Sequence, residues 1–294
     1  MLICAVSSRR VHSPGRSAHR CLIKAKCIVM NARGGKRPRR SLMLWDRPEP
    51  ESRPPPSPLS RERIVRAAIA LADKHGLASV SLRKVGASLN AGPMRLYGYL
   101  STKDELLELM VDAVYGEMTP IPISHRNWRD SLKSIAHLTR HAAMEHRWFI
   151  DLLGGRPHLG PNALAHLEAS LSAFSGTSGV SDIDSALRFI AVLNAYVLGA
   201  MRREIGELRE EVKSGKDKNE WQRAHYPYMT RMIATGKFPN LARVMREGEP
   251  RRADIEFDKG LTCVLDGIGI QFQHRAVNRR RLPKSNNRRG AAAS

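Results

Sequence analysis

The sequence predicts an all-α protein of two helical domains. Three observations predict it. Apolar residues recur at helical spacing from Ile64 to Phe272. No segment alternates with the period of two that a half-buried strand requires. The breaks fall at turn-forming clusters: Gly154-Gly155-Arg156-Pro157, Gly176–Gly179, Gly215 and Glu249-Pro250. A chain of 294 residues holds one large or two ordinary domains.

Regular structure is expected only after residue 58. Residues 1–40 show no sustained periodicity, and Met1–Val6 is apolar but too short for a signal-peptide core. Met30 and Met43 stand as alternative starts. Residues 31–40 (NARGGKRPRR) form a basic arm, and residues 46–58 hold six prolines, an extended linker. Residues 1–58 therefore read as a basic, Pro-rich disordered extension.

Ser60 caps the first helix, with Leu59 and Ile64 at the N′ and N4 positions of a hydrophobic staple. Ile64, Ala68, Leu71 and Ala72 give its inward stripe. Gly76 stops it, so it spans about residues 61–75. Ser81 caps a second, short helix that turns Leu82, Val85 and Leu89 inward. Asn90 follows at the C′ position, where only Gly is better suited. Gly92 and Pro93 open a third helix, since proline at N1 gives up a hydrogen bond the helix never makes. Leu96 and Leu100 face inward from it. Thr102 and Glu105 have capping-box spacing for a fourth helix that runs to about Met118, before Pro120 and Pro122.

From Trp128 onward, helices are predicted over about 128–152, 161–175, 182–206, 217–235 and 253–274. The 182–206 segment is apolar on a broad face (Ile183, Leu187, Ile190, Leu193, Val197, Leu198, Met201), which predicts burial. The last helix carries Phe257, Leu261, Val264, Leu265, Ile268 and Phe272. That stripe is wide enough to serve its own core and a second subunit. The expected domains are 59–119 and 127–275, followed by a basic disordered tail at 276–294.

The formal charge of +21 is unevenly placed: +10 lies in residues 1–60 and +7 in residues 275–294, leaving +4 for the body between. Basic tails favour polyanions, and their contribution falls with salt. Cysteines 4, 21, 27 and 263 show neither zinc-ligand spacing nor a disulfide framework, which fits a reducing cytoplasm. No run reaches the ~18 apolar residues of a membrane span, so no membrane partner is expected.

Residues 81–103 (SLRKVGASLNAGPMRLYGYLSTK) place two short helices around Asn-Ala-Gly-Pro, with a new helix start directly after. That is a helix-turn-helix layout, whose second helix enters the DNA major groove. On that helix Arg95 alone can form a bidentate pair with guanine. Lys103, at the start of the fourth helix, adds its charge to free backbone N–H groups and the positive dipole end.

The segments IVRAAIALADKHG, SLRKVGASL and RLYGYLSTKDELL, between Leu59 and Met118, resemble the tetracycline-repressor family of bacterial regulators. LGPNALAHLEASL and FDKGLTCVLDGI extend the likeness more loosely, so that it covers about residues 42–275. The resemblance implies that Gly92, Pro93, Met94 and Arg95 face base edges. It implies that Ser81, Tyr97 and Lys103 hold phosphates, and that Arg83 reaches a base or a phosphate. Tyr99 stands where the family commonly has His and still offers an O–H to DNA. Gly98 replaces a large side chain and weakens the helix by about 0.5–1 kcal/mol relative to Ala. Asn90 stands where Gly is usual, and Arg147 where Pro is common.

The resemblance also implies an effector pocket among the C-terminal helices. The candidates are His137, His141, Met144, Trp148, Phe174 and Asn194. Asn194 stands out, because a buried amide must find a partner. His137 and His141 have the i, i+4 spacing of two zinc ligands, but no third ligand can be named; they read as polar residues along a pocket or surface. Asp151, Glu168 and Asp266 form no catalytic grouping, and no nucleophile motif is present. Neither an enzyme nor a metal or other cofactor is expected. The chain reads as a homodimeric, ligand-responsive regulator, a repressor released from a palindromic double-stranded operator by a small molecule. The alternative is a basic architectural protein that binds nucleic acid through its tails without regard to sequence.

Overall fold

The computed structural model describes residues 44–46, 59–124, 127–175, 177, 180, 182–248 and 252–281, with side chains as far as Phe272. The basic arm at 31–40, nearly all of the proline linker and the C-terminal basic residues beyond 281 lie outside the described residues. The chain divides into two compact units, 1–48 and 49–294. In the first, the described residues Leu44–Asp46 form a 3-10 turn. In the second, all the regular structure is helical, with no strand among the described residues.

The first four helices of this second unit are α1 (Arg61–His75), α2 (Leu82–Ser88), α3 (Pro93–Leu96) and α4 (Lys103–Glu117). Their ends are set by caps. Ser60 Oγ accepts from the Arg63 N–H, Ser81 Oγ from Lys84 and Thr102 Oγ1 from Glu105. The Glu105 carboxylate reaches back to the Ser101 N–H, one residue before the expected N-cap partner. Gly76 takes φ +78 and Asn90 takes φ +53, the left-handed positions that stop α1 and α2. Between α2 and α3 the backbones come very close: a Cβ on Gly86 would lie 2.7 Å from the Ala91 carbonyl oxygen. Leu59 and Ile64 are both buried, as the staple requires. Ile64, Leu96, Leu100, Leu106 and Met110 are fully buried at the centre of the four helices. Each such side chain contributes about 1.5–3 kcal/mol over an exposed one.

The remaining helices are α5 (Trp128–Glu145), α6 (Phe149–Leu152), α7 (Pro161–Ser172), α8 (Ile183–Ser214), α9 (Lys218–Ala234), α10 (Pro239–Glu247) and α11 (Ala253–Arg281). α8 packs against α5, α7 and α11, and α4 bridges the two groups by packing on both α1 and α7. Trp128, Phe174, Phe189 and Phe272 form an aromatic cluster with centroids 4.9–6.1 Å apart, joining α5, the end of α7, α8 and α11.

Several expected boundaries are corrected. The predicted 128–152 helix breaks at His146, whose φ and ψ of −112 and 73 are not helical. No glycine or proline marks the break. The side chains of His146 and Trp148 are drawn to α1 instead. α7 stops at Ser172 rather than 175. α8 runs through Gly206 to Ser214 and ends at Gly215, in the left-handed conformation. α10 went unpredicted; Pro239 at N1 and the positive φ of Gly236 delimit it. α11 continues to Arg281 rather than 274, since nothing between those positions is Gly or Pro.

The broad face of α8 also divides. Ile190, Leu193, Val197 and Met201 are buried, whereas Ile183, Leu187 and Val192 are exposed. By length and composition α8 can cross a membrane, with mean hydropathy 1.4 over 18 residues. No apolar run of that length had been expected. Here α8 is the central helix of the bundle.

Candidate nucleic-acid interface

α3 is held from below and open above. Leu96 is fully buried, and the next turn closes back on it through Leu100 N–H to the Leu96 carbonyl at 3.0 Å. Gly92, Pro93, Met94, Arg95 and Tyr97 are all exposed; Met94 is 80% and Tyr97 52% accessible. An exposed methionine on this four-residue helix and an exposed tyrosine at its C-cap leave apolar surface in water that a partner can cover. Arg83 and Lys84 are exposed on α2, and Lys103 is exposed in the first turn of α4. Among the described residues no carboxylate pairs with Arg83, Arg95 or Lys103. Cations at the start of α4 and on α2 thus flank the open face of α3, an arrangement suited to phosphates on both sides of a groove. Ser81 is half-buried, with its oxygen engaged in capping α2, which leaves its O–H free to donate.

Tyr99 is corrected. Its side chain is 9% exposed, and its O–H donates to the Leu59 carbonyl at 2.7 Å. The Arg61 Nε–H donates to the Tyr99 carbonyl at 3.4 Å. Tyr99 ties the start of α1 to the turn before α4, so its hydroxyl is spent inside the protein rather than on DNA. Helical spacing could have shown this, since Tyr99 falls three residues after Leu96, but only Leu96 and Leu100 were expected to face inward.

The six effector candidates do not come together. His137 Nε2 meets Asp258 of α11 at 3.0 Å, with its ring against Phe257. His141 is exposed and meets Glu145 at 3.6 Å. Met144 is half-buried on α5. Trp148 is buried, and its Nε1–H donates to Asp73 of α1 at 2.7 Å. Phe174 belongs to the aromatic cluster. Asn194 is exposed rather than a buried amide, because it lies seven residues from exposed Leu187 and so in line with it on α8. The zinc-like pair His137 and His141 is divided between Asp258 and Glu145.

Two groups that carry the connection between α1–α4 and the rest were not singled out from sequence. Asp112 of α4 is buried; its carboxylate accepts from the Ala163 N–H at 2.9 Å and from Asn162 Nδ2–H at 3.0 Å, at the N-terminus of α7. Burial pushes this carboxyl above its ordinary value, against the opposing pull of those bonds. A Cβ on Gly160 would overlap the carboxylate, so the approach depends on that glycine. The second group is His146 with Asp73 and Glu117. A carboxylate inside an apolar helix (LELMVDAV) was the available signal for the first; nothing local signalled the second. Separately, His166 of α7 is buried with Nε2 lacking a partner among the described residues, and burial lowers it to about 4, so the ring is neutral.

An open recognition helix, flanking cations and a long helical bundle coupled to them through α4 define a helix-turn-helix transcriptional regulator. The family described as "Tetracyclin repressor-like, C-terminal domain" matches residues 121–272. The transcriptional repressor DrrR1 of Streptomyces coeruleorubidus is 32% identical over 234 residues, 79% of this chain and 86% of that protein. Apo ActR from Streptomyces coelicolor superposes with TM-score 0.64 at 24% identity, covering 75% of this chain and 99% of that one. ActR in complex with actinorhodin gives 0.61 at 24% identity, covering 73% and 98%. The chain belongs to the tetracycline-repressor family of transcriptional regulators.

Proposed function

We propose that the protein is a homodimeric repressor that leaves an inverted-repeat DNA operator when a small molecule binds among α5–α11. The observation that carries this is the open face of α3, anchored by Leu96 and bordered by Arg83 and Lys103. On this reading residues 59–119 are the DNA-binding domain and 127–275 the dimerisation and ligand domain. Met94 and Arg95 meet base edges, while Ser81, Tyr97 and Lys103 meet phosphates. Dimerisation is supported by exposed Ile183, Leu187 and Val192 on α8 and exposed Ile255 and Ile270 on α11, two helices that pack together.

Two recognition helices in one dimer must meet successive major grooves ~34–36 Å apart. A ligand that binds a dimer of different separation more tightly lowers operator affinity by that difference. ActR, solved with actinorhodin, supports a ligand of this general kind without naming this one. The reading places the protein in the cytoplasm and gives it no catalytic step.

Selection of bound sequences from random DNA with the full-length chain tests it. One recurrent inverted repeat, bound far more tightly than random duplex at matched salt, is expected. Binding that is indifferent to sequence and falls steeply with salt would assign the affinity to the basic tails instead.

A further inference from the structure

The chain leaves helical geometry at His146, and both nitrogens of that ring are engaged. Nδ1 meets Asp73 Oδ1 of α1 at 2.9 Å, and Nε2 meets Glu117 Oε2 of α4 at 2.8 Å. The Trp148 Nε1–H donates to the same Asp73 oxygen at 2.7 Å. A ring with a carboxylate acceptor on each nitrogen carries a proton on each, so these are the bonds of an imidazolium. The His146 side chain is only 12% exposed, and less so than either partner.

The charges around it come from every neighbouring element. Asp73 belongs to α1 and Glu117 to α4. Glu145 of α5 has its carboxylate within 4.8 Å of the same group and meets His141 on its other side. Beyond the turn, Arg209 of α8 pairs with Asp151 of α6 at 2.7 Å and donates to the Arg147 carbonyl at 2.8 Å. Asp73 and Glu117 lie on α1 and α4, which come before and after the recognition turn of α2 and α3, whereas His146 and Trp148 lie beyond α5. One protonated ring therefore joins the two.

We propose that His146 is a positioning residue for operator binding: as an imidazolium it clasps Asp73 and Glu117 and fixes how α1–α4 are held, and loss of its proton loosens that hold. This rests on the reading of α1–α4 as the operator-binding part. A fixed pair of recognition helices loses less freedom on binding than a loose pair, so protonation and operator binding favour each other. By reciprocity, operator binding raises the proton affinity of His146 by the same factor. Burial alone pulls the imidazole down, but the bonds to Asp73 and Glu117, and their charges, outweigh it and hold the ring above its ordinary value. The sign follows. The clasp is complete below the ordinary imidazole pKa and is lost as pH rises through the raised one.

The probe is the inverted repeat recovered by selection, titrated with full-length protein at constant ionic strength from about pH 6 to about pH 9. Wild type should lose affinity as pH rises, about tenfold per ring, and so about a hundredfold per dimer, for each unit by which operator raises the His146 pKa. His146→Gln should bind more weakly, with that pH-dependent component gone. His146→Arg, which keeps the charge and donors for both carboxylates, should restore affinity with the component still absent. In wild type alone, the His146 ring signal followed by NMR should titrate at higher pH when the duplex is bound. An identical pH profile in wild type and His146→Gln, or a ring titration that the duplex leaves unmoved or lowers, would overturn the proposal. A selection that yields no repeat strikes the operator reading and this inference together. A repeat bound alike by wild type and His146→Gln strikes this inference alone.

Discussion

At the scale of single residues, the open face of α3 separates groups that serve the fold from groups left for a partner. Arg95 is exposed next to fully buried Leu96. Arg95→Ala is expected to reduce preference for operator over random duplex by ~1–3 kcal/mol while leaving nonspecific binding nearly intact, measured by competition binding. An equal loss on both DNAs would make Arg95 a phosphate contact. Tyr99 belongs to the other class. Tyr99→Phe removes the donor to a buried Leu59 carbonyl and should cost about 1–3 kcal/mol in urea unfolding, with base preference unchanged. The role of Arg95 was legible from the helix-turn-helix layout, and that of Tyr99 was not read. Resemblance drew Tyr99 toward DNA, and packing turned it inward, three residues after buried Leu96.

At the scale of elements, legibility followed whether the cause was local. Caps and left-handed stops at Ser60, Gly76, Ser81, Asn90 and Thr102 depend on neighbours within a turn, so α1, α2 and α4 could be read from the chain. The break at His146 depends on Asp73, more than seventy positions earlier, and carries no breaker residue. The exposure of Asn194 depends on which face of α8 meets the core. α4 shows the same limit: its apolar stripe was plain, but the role of Asp112 appears only once α7 is beside it. Asp112→Ala would leave the Ala163 N–H without its acceptor and should destabilise the protein by about 1–3 kcal/mol. Chemical unfolding of the variant checks this. No change in the midpoint would mean that α7 caps itself through Gly160 and water.

At the scale of the whole molecule, residues 49–294 cluster as one compact unit, in which the expected domains 59–119 and 127–275 stay in contact. The expected boundary falls between α4 and α5, yet α4 packs on helices from both sides of it. On the proposed reading, these contacts would give a ligand among α5–α11 a route to α3 through Asp112 and through the His146 clasp. The exposed apolar face of α8 belongs to the same scale. Leu187→Arg is expected to yield a folded monomer in sedimentation analysis and to abolish tight operator binding, since a lone recognition helix meets one half-site. A variant that remains dimeric would place the interface elsewhere.

Everything proposed for the molecule rests on α3 lying in a groove of double-stranded DNA. Amide chemical-shift mapping with the enriched duplex asks this directly. The account predicts shifts that centre on Gly92–Tyr97 and Lys103, with Arg95 among the largest. Signals of α3 that stay in place while those of another surface move would contradict it.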